Sequence, residues 1–458
     1  MFVAVIASLA LSSSSPALPR SAALGVELAA PPPGAPAGAL VARFAAPAIA
    51  KAVKLEEGDT IVRIDRTAVG SPDDLLRAMR GRTAGSPVRL AVLRGGRSVE
   101  LSGKLAARPF ETYANGQASY GAVAFQGGLL RDIFVTPPGG AKGPVVFLLQ
   151  GYTCDSMETL GPDSPHRQLF DGLLARGISI YRIEKPQAGD SRGGPACAEI
   201  DFETELKAFE TGYRTLQERH GVTPDRIFLL GHSMGGIQAP IVAARNAPPR
   251  GVAIYGAVTR NWADYNLDIV KYQNFLSRGA DPASSEIEGE KLRKVIHRLL
   301  IDGEPPKSVA ADGPEMDRLL RAWFDWDGGD QLIGRHHQFW RQLTATPLLS
   351  AWRDTRSNVL AVYGESDFAA VDDEDHRLVT DVVNHYRPGT ARFVSVPRTG
   401  HSMTIEGSRE EVRARAGAAP AQRYPFNPEL TTLFADWIEE SMRAPAVASR
   451  FAPVKRGA

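Results

Sequence analysis

The sequence predicts an α/β protein: a mostly parallel sheet covered by helices, carrying a helical cap insertion and preceded by a small α+β domain. Three observations carry this reading. From Tyr113 onward, short apolar runs alternate with amphipathic stretches of helical period, as expected of strands buried on both faces beneath crossover helices. Between about Asn261 and Ser350 that alternation gives way to a charged, helical interval containing Trp262, Trp323, Trp326 and Trp340. Residues 24–108 follow another pattern, short alternating strands around a single helix.

The first 23 residues, "MFVAVIASLALSSSSPALPRSAA", begin with an apolar run of about ten residues and continue with small and helix-breaking ones, as in a secretory signal peptide. No Lys or Arg precedes Arg20, so the usual basic start is missing. Export to a periplasmic or extracellular compartment is the expectation.

In the next unit strands are expected at Thr60–Ile64, Val88–Leu93 and Ser98–Leu101, with a helix over Pro72–Met79. Ser71 suits the N-cap and Pro72 the first helical position. Arg94-Gly-Gly-Arg97 reads as a hairpin turn. Leu24-Gly-Val-Glu-Leu28, Gly38-Ala-Leu-Val41, Leu55-Glu-Glu-Gly-Asp59 and the Ser71-Pro-Asp-Asp-Leu75 helix start together resemble a PDZ domain of the bacterial protease-associated kind. The resemblance implies a loop, here Leu24, Gly25 and Val26, whose N–H groups receive a peptide C-terminal carboxylate while the peptide adds as a strand. The proline-rich insert Ala30–Ala37 departs from the compact pattern. An accessory domain without a peptide partner is the alternative.

The third unit spans residues 110–445, with the cap at 261–350 and a short tail at 446–458. "SYGAVAFQG" and "LLRDIFVTP" read as paired strands. "VVFLLQG", "ISIYRIE", "RIFLLG", "GVAIYGAV", "VLAVYGESD" and "ARFVSV" follow as the alternating strands. Helices are expected near Arg167–Ala175, Phe202–His220, Gly235–Asn246, Asp375–Tyr386 and Pro428–Met442.

Gly-x-Ser-x-Gly occurs twice, at Gly231–Gly235 and at Gly189–Gly193. With 44 glycines in 458 residues, chance supplies on the order of a quarter of a match, so context must decide. Ser233 follows "IFLLG" directly and precedes a helical pattern. A strand, a tight turn flanked by glycines and a helix are what an exposed nucleophilic serine needs. Ser191 lies several residues past its strand and beyond Pro186, and reads as a loop residue on the same rim.

A serine hydroxyl needs a base to take its proton and a carboxylate to orient that base. "VLAVYGESD" ends with Glu365 and Asp367, and "ARFVSVPRTGHSM" contains His401. The chain order serine, acid, histidine, with Gly231-His-Ser-Met-Gly-Gly236, Tyr363-Gly-Glu-Ser-Asp367 and Gly400-His401, resembles the α/β-hydrolase family. That resemblance implies catalytic Ser233, Asp367 and His401, with Glu365 as the other candidate acid. It also implies an oxyanion hole from the Met234 N–H and, after Gln150-Gly151, the Tyr152 N–H. Gln150 stands where many members have His. Cys154 and Cys197 each follow a strand expected to neighbour the other's, so a bridge tying the oxyanion loop to the Ser191 loop is one reading. Two unrelated buried thiols are the other.

The remaining histidines form no ligand set. His232 is expected to pack in the elbow, His336 and His337 point apart on a helix, and His376 and His385 read as packing or solvated residues. "DDED" at Asp372–Asp375 reads as a helix start. No cofactor or metal is implied. A net charge of +1 gives no electrostatic case for nucleic acid, and no interior run is long and apolar enough to span a membrane. The function expected is a serine hydrolase acting on a small-molecule or peptide acyl substrate. Ester cleavage leads, peptide or amide cleavage is close behind, and the rival from another class is a PDZ-like adaptor on an inactive scaffold.

Overall fold

The structure, a computed structural model, describes residues 18–158, 160–273, 279–415, 424–445 and 447. The expected leader through residue 17, and the 446–458 tail apart from position 447, lie outside the described residues.

The N-terminal unit is an antiparallel sheet whose main path runs Val26–Ala29, Ala39–Phe44, Thr60–Ile64, Pro87–Arg94 and Arg97–Lys104. The proline-rich insert forms the loop between the first two strands and leaves them paired. Helix Pro72–Met79 starts where Ser71 Oγ accepts the Asp74 N–H at 3.2 Å, satisfying one of the donors a helix start leaves unpaired. Leu75 from its apolar face packs into a core with Val41, Ile61 and Leu90. Gly95 and Gly96 both have positive φ, the backbone a two-residue hairpin turn demands.

The expected boundary after residue 23 needs correction. Ala22–Ala23 pairs antiparallel with Ala106–Ala107, and the chain just ahead of it is stitched to the larger unit. Arg20 pairs with Glu158 at 2.6 Å and with Asp190. Asp190 also accepts the Ser21 N–H at 2.6 Å. Small residues resembling a cleavage region thus serve as a strand that closes the first unit. No local pattern announced the ionic partners, which lie about 140–170 residues away.

The larger unit centres on a nine-stranded mixed sheet. Its main strands are β1 (Gln117–Phe125), β2 (Gly128–Thr136), β3 (Val145–Leu149), β4 (Ser179–Ile183), β5 (Ile227–His232), β6 (Gly251–Tyr255), β7 (Asn358–Gly364) and β8 (Ala391–Val396). The order is β1-β2-β4-β3-β5-β6-β7-β8, antiparallel at the β1 and β2 end and parallel from β4 onward. Every residue of β3 and β4 is buried, which explains why β3 reads as an unbroken apolar run, whereas β4 also buries Arg182, paired with Glu111. Helices α1 (Pro165–Ala175) and α6 (Glu429–Arg443) cover one face. Helices α2 (Phe202–Glu218), α3 (Met234–Arg245), α4 (Leu348–Asp354) and α5 (Glu374–Tyr386) belong to the other layer.

The inserted cap contributes helices Trp262–Asp268, Pro282–Ile296, Pro314–Phe324 and His337–Thr344, with a small hairpin of Gln331–Leu332 and Arg335–His336. It ends earlier than the expected residue 350. α4 packs on α3 and α5 as an ordinary crossover helix, and its Trp352 is buried beneath the sheet layer.

Candidate active site

β5 runs without a spacer into α3, and Ser233 stands between them at φ 55° and ψ −124°. That conformation is costly for a residue with a side chain and persists only where its surroundings enforce it. They do so here: Ser233 N–H donates to Tyr255 O at 2.9 Å and Ser233 O accepts the Gly236 N–H at 2.8 Å. The flanking glycines are steric requirements, because a Cβ on Gly231 would strike the Gly235 carbonyl and one on Gly235 the Leu149 carbonyl.

Asp367 lies just past β7 and His401 past β8. His401 Nδ1 sits 2.9 Å and 3.0 Å from the two Asp367 oxygens. Asp367 is fully buried and accepts the Ala370 N–H at 2.9 Å. Burial alone would raise the Asp367 carboxyl, but the imidazole's charge and hydrogen bond, with the Ala370 N–H, hold it below the usual range. Burial likewise disfavours a charged imidazole, yet Asp367 outweighs it and His401 is raised. Glu365, the other candidate acid, turns away and accepts the Arg398 N–H at 2.7 Å. The described residues show no hydrogen bond between the Ser233 hydroxyl and the His401 ring. Their backbones are joined through β6 instead: Tyr255 O holds Ser233 N–H, while the Tyr255 hydroxyl donates to Gly400 O at 2.7 Å. Gly256, next along the chain, leaves room for the pair. A Cβ there would lie 2.6 Å from Asp367 Oδ2 and 2.9 Å from His401 Nδ1.

Met234 opens α3, where a first-turn N–H has no partner within the helix. Tyr152 follows β3 across from it, and the position a Cβ on Gly151 would take is 4.0 Å from Ser233 Oγ. Cys154 and Cys197 are joined in a disulfide with Cα atoms 5.7 Å apart. Ser191 is buried, its Oγ accepting the Arg131 N–H at 2.9 Å, so it is a packing residue rather than one displayed on the rim.

His232 Nε2 lies 2.9 Å from His401 O and its Nδ1 lies 3.1 Å from His166 Nε2. Burial holds His166 at about 4 and His232 well below the usual value, so both rings are neutral. His232 donates to the carbonyl of residue 401 and accepts from His166. His166 escaped sequence reading because nothing in "SPHRQL" marks a partner 66 residues away. His376 is buried against Tyr363. Asp372 and Asp375 clamp Arg260 at 2.9 and 2.7 Å, so the acidic run anchors the base of the cap as well as starting α5. Among the described residues no His, Cys, Asp or Glu group is arranged to hold a metal ion, and no helix is long and apolar enough to cross a membrane.

Leu24, Gly25 and Val26 lie on a cleft of about 2240 Å³ between the two units, with helix Pro72–Met79 on one side. Cys154, Asp155, Ser402 and Thr404, neighbours of the Gly151–Tyr152 loop and of His401, lie on its other side. Gly25 has φ 71° and its carbonyl accepts the Ala46 N–H at 2.9 Å.

Comparison with known proteins agrees with this architecture. Residues 146–415 match the alpha/beta hydrolase family and residues 23–105 match the PDZ domain. Esterase EstD of Thermotoga maritima is 28% identical over 159 residues, which are 34% of this chain and 37% of that protein. The chain thus spans little more than a third of that relative's length. Among solved structures, Est1E of Butyrivibrio proteoclasticus aligns over 72% of this chain and 100% of its own, at 14% identity and a TM-score of 0.43. An acylaminoacyl peptidase of Pyrococcus horikoshii aligns over 79% of this chain and 49% of its own, at 11% identity and a TM-score of 0.45. The chain belongs to the alpha/beta hydrolase family and carries a PDZ domain ahead of its hydrolase unit.

Proposed function

We propose that the protein is a serine hydrolase that cleaves carboxylic esters through an acyl-enzyme on Ser233. The observation that carries this reading is a serine in a strained strand-to-helix turn, backed by an aspartate–histidine pair that follows strands β7 and β8. In the reaction His401 Nε2 takes the proton of Ser233 Oγ as that oxygen attacks the carbonyl carbon. The Met234 and Tyr152 N–H groups receive the oxyanion, and Asp367 holds the imidazole in the tautomer that leaves Nε2 free to accept. The protonated imidazole then delivers its proton to the leaving oxygen, and water clears the acyl group by the same route. An alkoxide leaves with less assistance than an amine, which favours esters, and the name of the matched Thermotoga maritima esterase supports the same class.

A fluorophosphonate probe tests the reading. Labelling of the wild type and not of Ser233→Ala is the expected result, and a folded wild type that fails to label overturns it. Short-chain p-nitrophenyl esters should turn over at least tenfold faster than aminoacyl p-nitroanilides, and the reverse would make the protein an amidase or peptidase.

For the PDZ unit we propose a peptide C-terminus as ligand, its carboxylate on the Leu24–Val26 loop and its chain along the edge strand Val26–Ala29. Export is proposed as well, and the disulfide suits an oxidising compartment. Because Arg20 and Ser21 bond to Asp190, a leader would have to be cut before Arg20. N-terminal sequencing of the secreted or periplasmic protein checks this, and a first residue beyond Arg20 contradicts it.

A further inference from the structure

A cluster of fully buried charges lies beneath the oxyanion loop and takes no part in the triad. Glu205 of α2 faces Lys185, just past β4, at 3.1 Å and Arg335 of the cap hairpin at 2.7 Å. The amide of Gln238 on α3 adds a donor at 2.9 Å. All four side chains are buried, and such a group is costly unless every member is matched. Arg335 Nε and Gln238 Oε1 have no hydrogen-bond partner among the described residues, but one further donor of each cation reaches one of two consecutive carbonyls. Lys185 Nζ donates to Gly151 O at 2.6 Å and Arg335 Nη1 to Tyr152 O at 2.7 Å.

The peptide linking Gly151 to Tyr152 is trans, so the Gly151 carbonyl and the Tyr152 N–H point in opposite directions. Holding that carbonyl toward Lys185, below the loop, turns the N–H toward the opposite side. Holding the Tyr152 carbonyl fixes the next peptide plane as well. Arg335 comes from the cap, its guanidinium stacked on Phe339 at 3.9 Å. Lys185 comes from the sheet.

We infer that Arg335 and Lys185, balanced by Glu205, are positioning residues for the oxyanion hole, so that the Tyr152 N–H is aimed correctly only while the cap is seated. This rests on the proposed Ser233 mechanism. Removing an oxyanion donor outright costs roughly 100- to 1000-fold in kcat, so misaiming one by loss of its support should cost about tenfold to 100-fold.

The test compares Arg335→Met, Arg335→Lys and wild type in the full chain on a short-chain p-nitrophenyl ester. For Arg335→Met, kcat should fall at least tenfold while KM stays within about twofold. Affinity for a trifluoromethyl ketone, which forms the tetrahedral oxyanion, should fall by the same factor as kcat/KM. Affinity for the ground-state product acid should hold. Arg335→Lys, which keeps a cation for Glu205, should recover part of kcat. An unchanged kcat, or equal weakening of both inhibitors, overturns the inference. If Arg335→Met does not fold, Arg335→Lys decides alone: wild-type kcat and ketone affinity overturn the inference, and a selective loss of both supports it. Absence of Ser233-dependent turnover in the wild type would instead bring down the proposed mechanism.

Discussion

The Ser233 turn and the Gly151–Tyr152 loop lie beside each other in the candidate site, and they are held in different ways. Ser233 owes its position largely to its own neighbours in sequence, an apolar strand before it, a helix after it and glycines on either side, with the Tyr255 and Leu149 carbonyls of adjoining strands closing in on the turn. The Gly151–Tyr152 segment has no such local grammar. It is gripped by Lys185 from the sheet, Arg335 from the cap and the Cys154–Cys197 bridge, with Glu205 of a third element balancing the charges. A turn built from local sterics is rigid wherever the strand and helix form. A loop built from distant groups is only as well placed as the tertiary structure around it, and can be loosened without unfolding the core.

Breaking the triad should produce the largest effect in catalysis. Asp367→Asn preserves shape but removes the charge that sets the imidazole tautomer, so kcat should fall about 10⁴-fold with KM little changed in steady-state kinetics. On the turn side, Gly235→Ala drives a methyl into the Leu149 carbonyl. It should destabilise by more than about 4 kcal/mol or fail to fold, measured by denaturant titration. A well-folded, active Gly235→Ala protein would show that the turn is not sterically locked.

On the loop side, Cys154→Ser with Cys197→Ser opens a link between residues 43 apart, and should lower unfolding free energy by about 2–4 kcal/mol. Ser233 labelling should survive at a reduced rate, because the turn does not depend on the bridge. Equal loss of labelling and of folded protein would erase the distinction between the two regions. The smallest effect is on pH. The imidazole must be neutral to accept the serine proton, so kcat/KM should rise with pH through a limb lying above the ordinary histidine value of 6.5, in the direction Asp367 shifts it. In Asp367→Asn the residual activity should titrate at lower pH. A wild-type limb below 6.5 would mean that burial, not Asp367, dominates.

Most of the frame was legible from residues alone. Helix Pro72–Met79 announced itself through Ser71 and Pro72, and the β5–α3 turn through "IFLLGHSMGG", because those signals are local steric and capping requirements. Asp367 and Glu365 could not be separated by spacing. Both follow β7 within three residues, so the preference for Asp367 came from the family resemblance, and the chain's path past Ala370 and Arg398 turns Asp367 toward His401 and Glu365 away. The expected end of the cap overlaps the first three residues of α4, which packs on α3 and α5, because helix boundaries are not marked by any local signal at Leu348. The segment at 18–23 read as leader because small residues look alike in a cleavage region and in an edge strand.

By itself the sequence determined the alternation of strands and helices, the serine at a forced turn, and the order of serine, acid and histidine along the chain. These follow from periodicity and from what a backbone tolerates over a few residues. Only the tertiary structure showed which carboxylate meets the imidazole, which histidine meets its backbone carbonyl, and which buried cations hold the Gly151 and Tyr152 carbonyls. Electrostatic partners are chosen by distance in space, and separations from 20 residues (Lys185 and Glu205) to 183 (Arg335 and Tyr152) leave no trace in any local window.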